Sequence, residues 1–282
     1  MSEDENNVGD QPRDFVGSLA QGLKVIMAFS RARPVMTLTE VAEATDMTRA
    51  GARRYLLTLE HLGYVAKSGR DFRLTPRVLE LGYAYMATQP LAELSQPFLD
   101  DFTHKTGQSS ALAVQEDDEA IYIAQCTAER ALSIRVPVGR RQPALYTATG
   151  RVMLAFMPDA EIDAFLQRVE PRKLTEKSIV NKKKLKAELL NIREQEFAIV
   201  DQEVELGIRS MAAPIWDQEH NVAAAVLVLT DMASVNEKTL QKEFLPHLKH
   251  AAAEIQRALE SIPGAFQTIA VKKNKKRPST AH

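Results

Sequence analysis

The sequence predicts an α+β protein in two parts: an N-terminal winged helix–turn–helix, and a larger second domain built around an antiparallel sheet. Three observations predict it. From Thr37 to Leu56, two capped amphipathic segments at helical spacing flank a short break. Directly afterwards, two short runs of alternating character are joined at Ser68-Gly69-Arg70, the pattern of a hairpin. Beyond residue 90, strand patterns arranged in hairpins are interspersed with helical patterns, as helices packed on an antiparallel sheet require.

Each element follows from its residues. Phe15 to Phe29 is predicted to open a three-helix core, with Leu19, Leu23, Ile26 and Met27 at core spacing, and Arg31 to Pro34 is a loop. Thr37 is placed to N-cap the next helix, and Glu40 completes a capping box. Thr45-Asp46-Met47 breaks the pattern and Thr48 caps a second helix. That helix carries Ala52, Tyr55, Leu56 and Leu59 on one side and Arg49, Arg53 and Arg54 on the others. A helix–turn–helix presents the N-terminal half of its second helix to the DNA major groove. Arginines there pair with phosphates or fork onto guanine edges. An αα-hairpin with solvated arginines shares these twenty residues, but a basic hairpin directly afterwards is a wing. The predicted DNA contacts are Thr37, Thr39, Thr48, Arg49, Ala50, Arg53 and Arg54, joined by Lys67, Arg70 and Arg73 on the wing.

After the wing, Pro76 opens a helix over 77–88, with Val78, Leu81, Tyr85 and Met86 on one stripe; it serves as a connector and dimer contact, or as an intradomain packing helix. Gln89-Pro90 breaks it. Leu91–Thr106 is helical, Ser109–Glu116 and Ala120–Cys126 form a hairpin, and Ala131–Val136 is a further strand before the loop 137–145. Helices follow at 152–157, 158–169 and 182–196. Strands follow at 197–203, 208–216 and 222–230, and a long helix at 236–262 closes the fold. The expected organisation is a disordered tail over 1–14, the winged domain over 15–76, a linker helix over 77–89, the second domain over 90–262 and a basic disordered tail over 263–282.

Composition limits what the chain can do. Its 282 residues suit two domains, and 45% hydrophobic residues suit sizeable cores. A net charge of -1 hides a basic excess between Pro12 and Thr88, where eleven cations face seven acids. One cysteine, Cys126, forms no internal disulfide, and no apolar run approaches the ~18 residues of a membrane span, so a cytoplasmic protein with no membrane partner is expected. Of the six histidines only His247 and His250 have ligand-like spacing, and they lack an acidic neighbour of the zinc-protease type. No nucleophile elbow, P-loop or dinucleotide fingerprint occurs. No enzyme, cofactor or metal is expected.

Thr147-Ala148-Thr149-Gly150 before a helix offers hydroxyls and backbone N–H groups at a positive helix end, which reads either as an anion site or as simple N-capping. Asp201 and Glu203 read as solvated turn and strand-end carboxylates.

The tracts SLAQGLKVIMAF, RRYLLTLEHLGYV, FRLTPRVLELGYAY, TATGRVMLAF and VDQEVELGIRSMAAPIWD resemble the IclR family of bacterial transcription regulators over about Ser18 to Leu259. PRVLELGYAY and the VDQE–ELGIRS segment are most similar to regulators of protocatechuate and β-ketoadipate catabolism. The resemblance implies a GAF-like effector-binding second domain, a homodimer that can pair into a tetramer, and control of a catabolic operon by a small organic acid. Its implied partners are a pseudo-palindromic promoter site, the effector, a second copy and RNA polymerase. In relatives that bind small keto acids, the ligand lies between the turn matching Thr147, Thr149 and Gly150, the position of Ser210, and strand positions matching Leu227 and Leu229. Those relatives carry hydroxyls where this chain has the two leucines. The more apolar wall suits an aromatic ring, although two leucines on a strand also read as plain core. A buried carboxylate needs a cation; of Arg135, Arg141, Arg151 and Arg209, the candidates are Arg141 and Arg209. The alternatives are a family member answering to a small keto acid, or a ligand-independent architectural protein.

Overall fold

The computed structural model describes residues 14–88, 90–129, 134–262 and 265–266. They form two compact units divided between Tyr85 and Met86. Among the described residues no helix is long and apolar enough to cross a membrane.

In the first unit, α1 (Gly17–Ala28), α2 (Leu38–Thr45) and α3 (Arg49–His61) surround a core of Val25, Val41, Ala42, Ala52, Leu56 and Leu59. Local chemistry places the boundaries. Thr37 Oγ1 accepts the Glu40 N–H at 3.4 Å while the Glu40 carboxylate accepts the Thr37 N–H at 2.7 Å, closing the capping box. That backbone bond, first among its causes, holds the Glu40 carboxyl below the usual range. Asp46 ends α2 in the left-handed region at φ 54, and Thr48 caps α3 by accepting the Gly51 N–H at 3.1 Å. Strands β1 (Val35–Thr37), β2 (Val65–Ser68) and β3 (Asp71–Leu74) form a sheet in the order β1-β3-β2, with β2 and β3 as the wing. Gly69 turns it at φ 62, a conformation that L side chains rarely adopt. Sequence reasoning missed β1, whose three residues are too few for a periodic signal.

One expectation is corrected here. Of the four α1 residues assigned to the core, Leu19, Leu23 and Met27 are exposed at 65%, 45% and 73%, and Val25 carries the packing instead. The helix has two apolar stripes, and the sequence read the wrong one as inward. Of the stripe expected along α4 (Leu79–Thr88), Leu81 and Tyr85 are likewise exposed. This helix spans the division between the units.

The second unit is a six-stranded antiparallel sheet in the order β6-β5-β4-β9-β8-β7. Its strands are β4 (Ser109–Glu116), β5 (Glu119–Cys126), β6 (Arg141–Pro143), β7 (Ala198–Asp201), β8 (Ile208–Trp216) and β9 (Val222–Asp231). Residues 134–136 are not strand, and the rest of the strand expected over 131–136 lies outside the described residues. The third strand of that region is instead the short β6, which pairs with β5 through Ile121 opposite Arg141.

Both sheet faces are covered. Leu112, Val114, Met211, Ile215, Val226 and Val228 pack under α5 (Pro90–Thr106) and the closing helix. That helix comprises α9 (Glu237–Thr239), a π-helical turn at Leu240–Phe244 and α10 (Leu245–Glu260). Pro246 has no N–H to give the preceding turn, which accounts for the widened turn before it. The opposite face receives α6 (Ala148–Ala155), with α7 (Asp159–Arg168) and α8 (Lys182–Gln195) completing that layer. Each fully buried leucine, isoleucine or phenylalanine in these layers contributes about 1.5–3 kcal/mol. The tails expected over 1–14 and 263–282 lie outside the described residues, save Asp14 and 265–266.

Candidate functional site

On the first unit, Arg49, Arg53 and Arg54 all project into solvent from α3, beside exposed Ala50. Lys67, Arg70 and Arg73 are exposed on the wing, with the Lys67 ammonium 5.9 Å from the Phe72 ring centroid. None of these six cations makes an ion pair among the described residues. The Arg54 guanidinium lies 5.5 Å from the Tyr55 centroid, an arrangement that keeps its charge accessible. Thr39 is exposed and unencumbered by a cap. Thr37 and Thr48 commit their hydroxyls to α2 and α3, so they orient the helix–turn–helix as well as bordering its surface. Unneutralised cations at a helix N-terminal half and on a hairpin suit a polyanion with a groove.

On the second unit, Thr147 caps α6, its Oγ1 accepting the Gly150 N–H at 3.0 Å and the Thr149 hydroxyl at 3.3 Å. Every residue of α6 is buried. Gly150 is required by close approach, because a Cβ there would stand 2.2 Å from the Ala144 carbonyl oxygen. Beneath α6 the sheet face is laid out in rows. One row sets Ala111, Leu227, Ala212 and Ala198 side by side across four strands; the next sets Ser109, Leu229, Ser210 and Val200. Leu227 and Leu229 therefore share the face of Ser210 and the Thr147–Gly150 turn, as their alternation predicts.

Sequence reasoning missed Tyr122. Its hydroxyl lies 3.4 Å from Thr149 Oγ1 and 3.3 Å from Gln142 Oε1, on the same face as Leu227. Burial pushes its phenol up, so it is a protonated donor at neutral pH. A tyrosine within a strand pattern gives no local hint of this; cross-strand register brings it there.

Both candidate cations are corrected. Arg209 alternates with Ser210 and so points to the opposite face, where Nε donates to Asp201 Oδ1 at 2.9 Å. Arg141 sits on the edge strand β6 and donates to Glu116 and Glu119, each at 2.6 Å. The cation buried on the α6 layer, among the described residues, is Arg151, exposed by only 1%. It forks onto Glu203 at 2.6 and 2.7 Å and donates to the Leu145 carbonyl at 2.9 Å. Glu203 is thus a buried partner rather than a solvated carboxylate, and it also accepts the Ile179 N–H at 2.9 Å. Asp201 is half-buried and held by Arg209.

Known proteins share this two-part architecture. Residues 18–69 match the IclR helix-turn-helix domain and residues 83–257 match the C-terminal domain of the bacterial transcriptional regulator IclR. The chain is 38% identical to the Pca regulon regulatory protein of Pseudomonas putida, over 86% of this chain and 84% of that one. Its fold matches a crystal structure of a putative transcriptional regulator from Rhodococcus sp. RHA1 with TM-score 0.80 and 42% identity, covering 88% of this chain and 99% of that one. At 19% identity and TM-score 0.73, it shares its fold with an IclR homolog from Microbacterium hydrocarbonoxydans complexed with 4-hydroxybenzoate, covering 87% of this chain and 100% of that one. The helix–turn–helix with its wing, the α6-covered sheet and both matched domains have one explanation: the chain belongs to the IclR family of bacterial transcription regulators.

Proposed function

We propose that this regulator controls an operon for the catabolism of an aromatic acid, and that the acid itself is its effector. The observation that carries the reading is the layer under α6. Leu227 and Leu229 supply an apolar wall, and Thr149 and Tyr122 place hydroxyls beside it. A hydroxylated ring offers the apolar faces and polar edge such a layer recognises. The IclR homolog of like fold is complexed with 4-hydroxybenzoate, a ligand of this class, which supports the reading. With Arg209 and Arg141 occupied elsewhere, the effector carboxylate is assigned to the Thr147–Gly150 turn at the positive end of α6, with Arg151 as the nearest cation in sequence.

The DNA contacts are Arg49, Arg53 and Arg54 in the major groove and Lys67, Arg70 and Arg73 on phosphates. Two copies would present them to a pseudo-palindromic site. The exposed apolar residues Val16, Leu19 and Met27 of the α1 region and Leu79 and Tyr83 of the α4 region support a homodimer, since single-chain packing leaves them in water.

The test is a thermal-shift screen of the purified chain against protocatechuate, 4-hydroxybenzoate, β-ketoadipate, glyoxylate and pyruvate. A ligand at 100 times its Kd adds about 2.7 kcal/mol to stability. Stabilisation by an aromatic acid is expected. A response confined to the small keto acids would overturn the aromatic assignment, and silence across the panel would favour a ligand-independent architectural protein.

A further inference from the structure

The densest basic segment in the described chain is not on the winged unit. Residues 170–186 of the second unit carry seven cations against two acids, Glu170 and Glu176, in a protein of net charge -1. Two of the seven are neutralised: Lys182 by Glu170 at 3.0 Å and Lys186 by Asp163 at 2.5 Å. The other five, Arg172, Lys173, Lys177, Lys183 and Lys184, are exposed and make no ion pair among the described residues.

This segment is held in place. The Thr175 and Ser178 hydroxyls each donate, at 2.6 Å, to the carbonyls of Gln202 and Glu203 respectively. The Ile179 N–H is fixed on the buried Glu203 carboxylate, and the Arg172 N–H donates to the Tyr146 hydroxyl at 2.6 Å. Cations on a fixed loop lose less freedom on meeting a partner than cations on a free one. Helix stability does not account for their placement either. Lys182, Lys183 and Lys184 fill the first turn of α8, where the positive helix end disfavours cations, and no acid stands there.

We infer that this surface is a second DNA contact, which holds backbone phosphates flanking the operator without reading sequence. Lysine is suited to phosphate as a point charge, and the segment has no aromatic side chain for stacking on bases. DNA is the polyanion that the winged unit of the same chain is built to hold, so the inference rests on that reading.

The test uses the full chain with Lys173→Gln, Lys183→Gln and Lys184→Gln combined, measured by fluorescence anisotropy on long operator duplexes over a range of salt. Each lost phosphate contact should reduce the slope of log K against log salt by about 0.9, so the triple variant should be shallower by roughly two to three. The same reduction is expected on a duplex of unrelated sequence, with the melting temperature unchanged. A wild-type slope would overturn the inference. Transcription lost with DNA binding intact would also overturn it, assigning the patch to an acidic protein surface. Arg53→Ala is the control: if it leaves operator binding unchanged, the winged-unit reading itself fails, whereas an effect of Arg53→Ala alone rejects only the second contact.

Discussion

The α3–wing surface and the sheet of the second unit treat their arginines in opposite ways. On α3 and the wing, Arg49, Arg53, Arg70 and Arg73 stand in water without carboxylate partners among the described residues. On the sheet of the second unit and its covering layer, Arg151 is locked to Glu203, Arg209 to Asp201 and Arg141 to Glu116 and Glu119. A surface that meets a polyanion must keep its charge unneutralised. A scaffold that positions a small ligand must fix its polar groups against one another before the ligand arrives. The same residue type is therefore left free on one surface and built into the architecture of the other, and substitution should separate the two.

The largest effect is expected at the committed pair. Arg151→Ala would strand Glu203, which is 6% exposed, without its bidentate partner. Breaking a buried pair from one side costs about 3–5 kcal/mol. It would also release the Ile179 loop from a fixed acceptor. Urea denaturation should show that loss, and Arg151→Leu with Glu203→Leu should be milder, because no charge is left buried. A single-variant loss under 1 kcal/mol would mean that the pair is solvated in solution.

Arg53→Ala should do the reverse. Its guanidinium has no ion-pair partner among the described residues to strand, so folding stability should move by less than about 0.5 kcal/mol. Operator affinity should fall by about 1–3 kcal/mol, roughly 5- to 150-fold. A gel shift beside a thermal melt checks both. Unchanged operator binding would remove Arg53 from the interface, and a large loss of stability would place it with the committed arginines.

Much of this contrast was legible in sequence, for physical reasons that also mark the limits. Thr37, Glu40, Asp46 and Thr48 act within four residues of themselves, so caps and breaks could be read directly. The pairing of Leu227 with Leu229 needed only the two-residue period of a strand. That period also argues against Arg209 sharing a face with Ser210, since adjacent strand residues face opposite ways. Tyr122 beside Thr149, and Arg151 on Glu203, join residues 27 and 52 positions apart, which no local pattern encodes. The outward turn of Leu19 and Met27 failed for another reason: periodicity finds an apolar stripe but not what covers it.

The smallest expected effect is the most discriminating, because it compares one residue type in one role. Thr48 and Thr147 are both N-cap threonines, accepting the N–H of Gly51 at 3.1 Å and of Gly150 at 3.0 Å. Loss of such a cap costs about 0.5–2 kcal/mol. At exposed Thr48, water can take over the freed N–H, so Thr48→Ala should lie near the lower end. At Thr147, buried to 6% exposure, the Gly150 N–H and the Thr149 hydroxyl would both lose their acceptor away from water, so Thr147→Ala should approach about 2 kcal/mol. Thr147→Ser keeps the oxygen and should recover most of that difference in a denaturant titration. Equal losses at Thr48 and Thr147 would show that the α6 turn is open to solvent, which would weaken its assignment as the place where a carboxylate is held out of water.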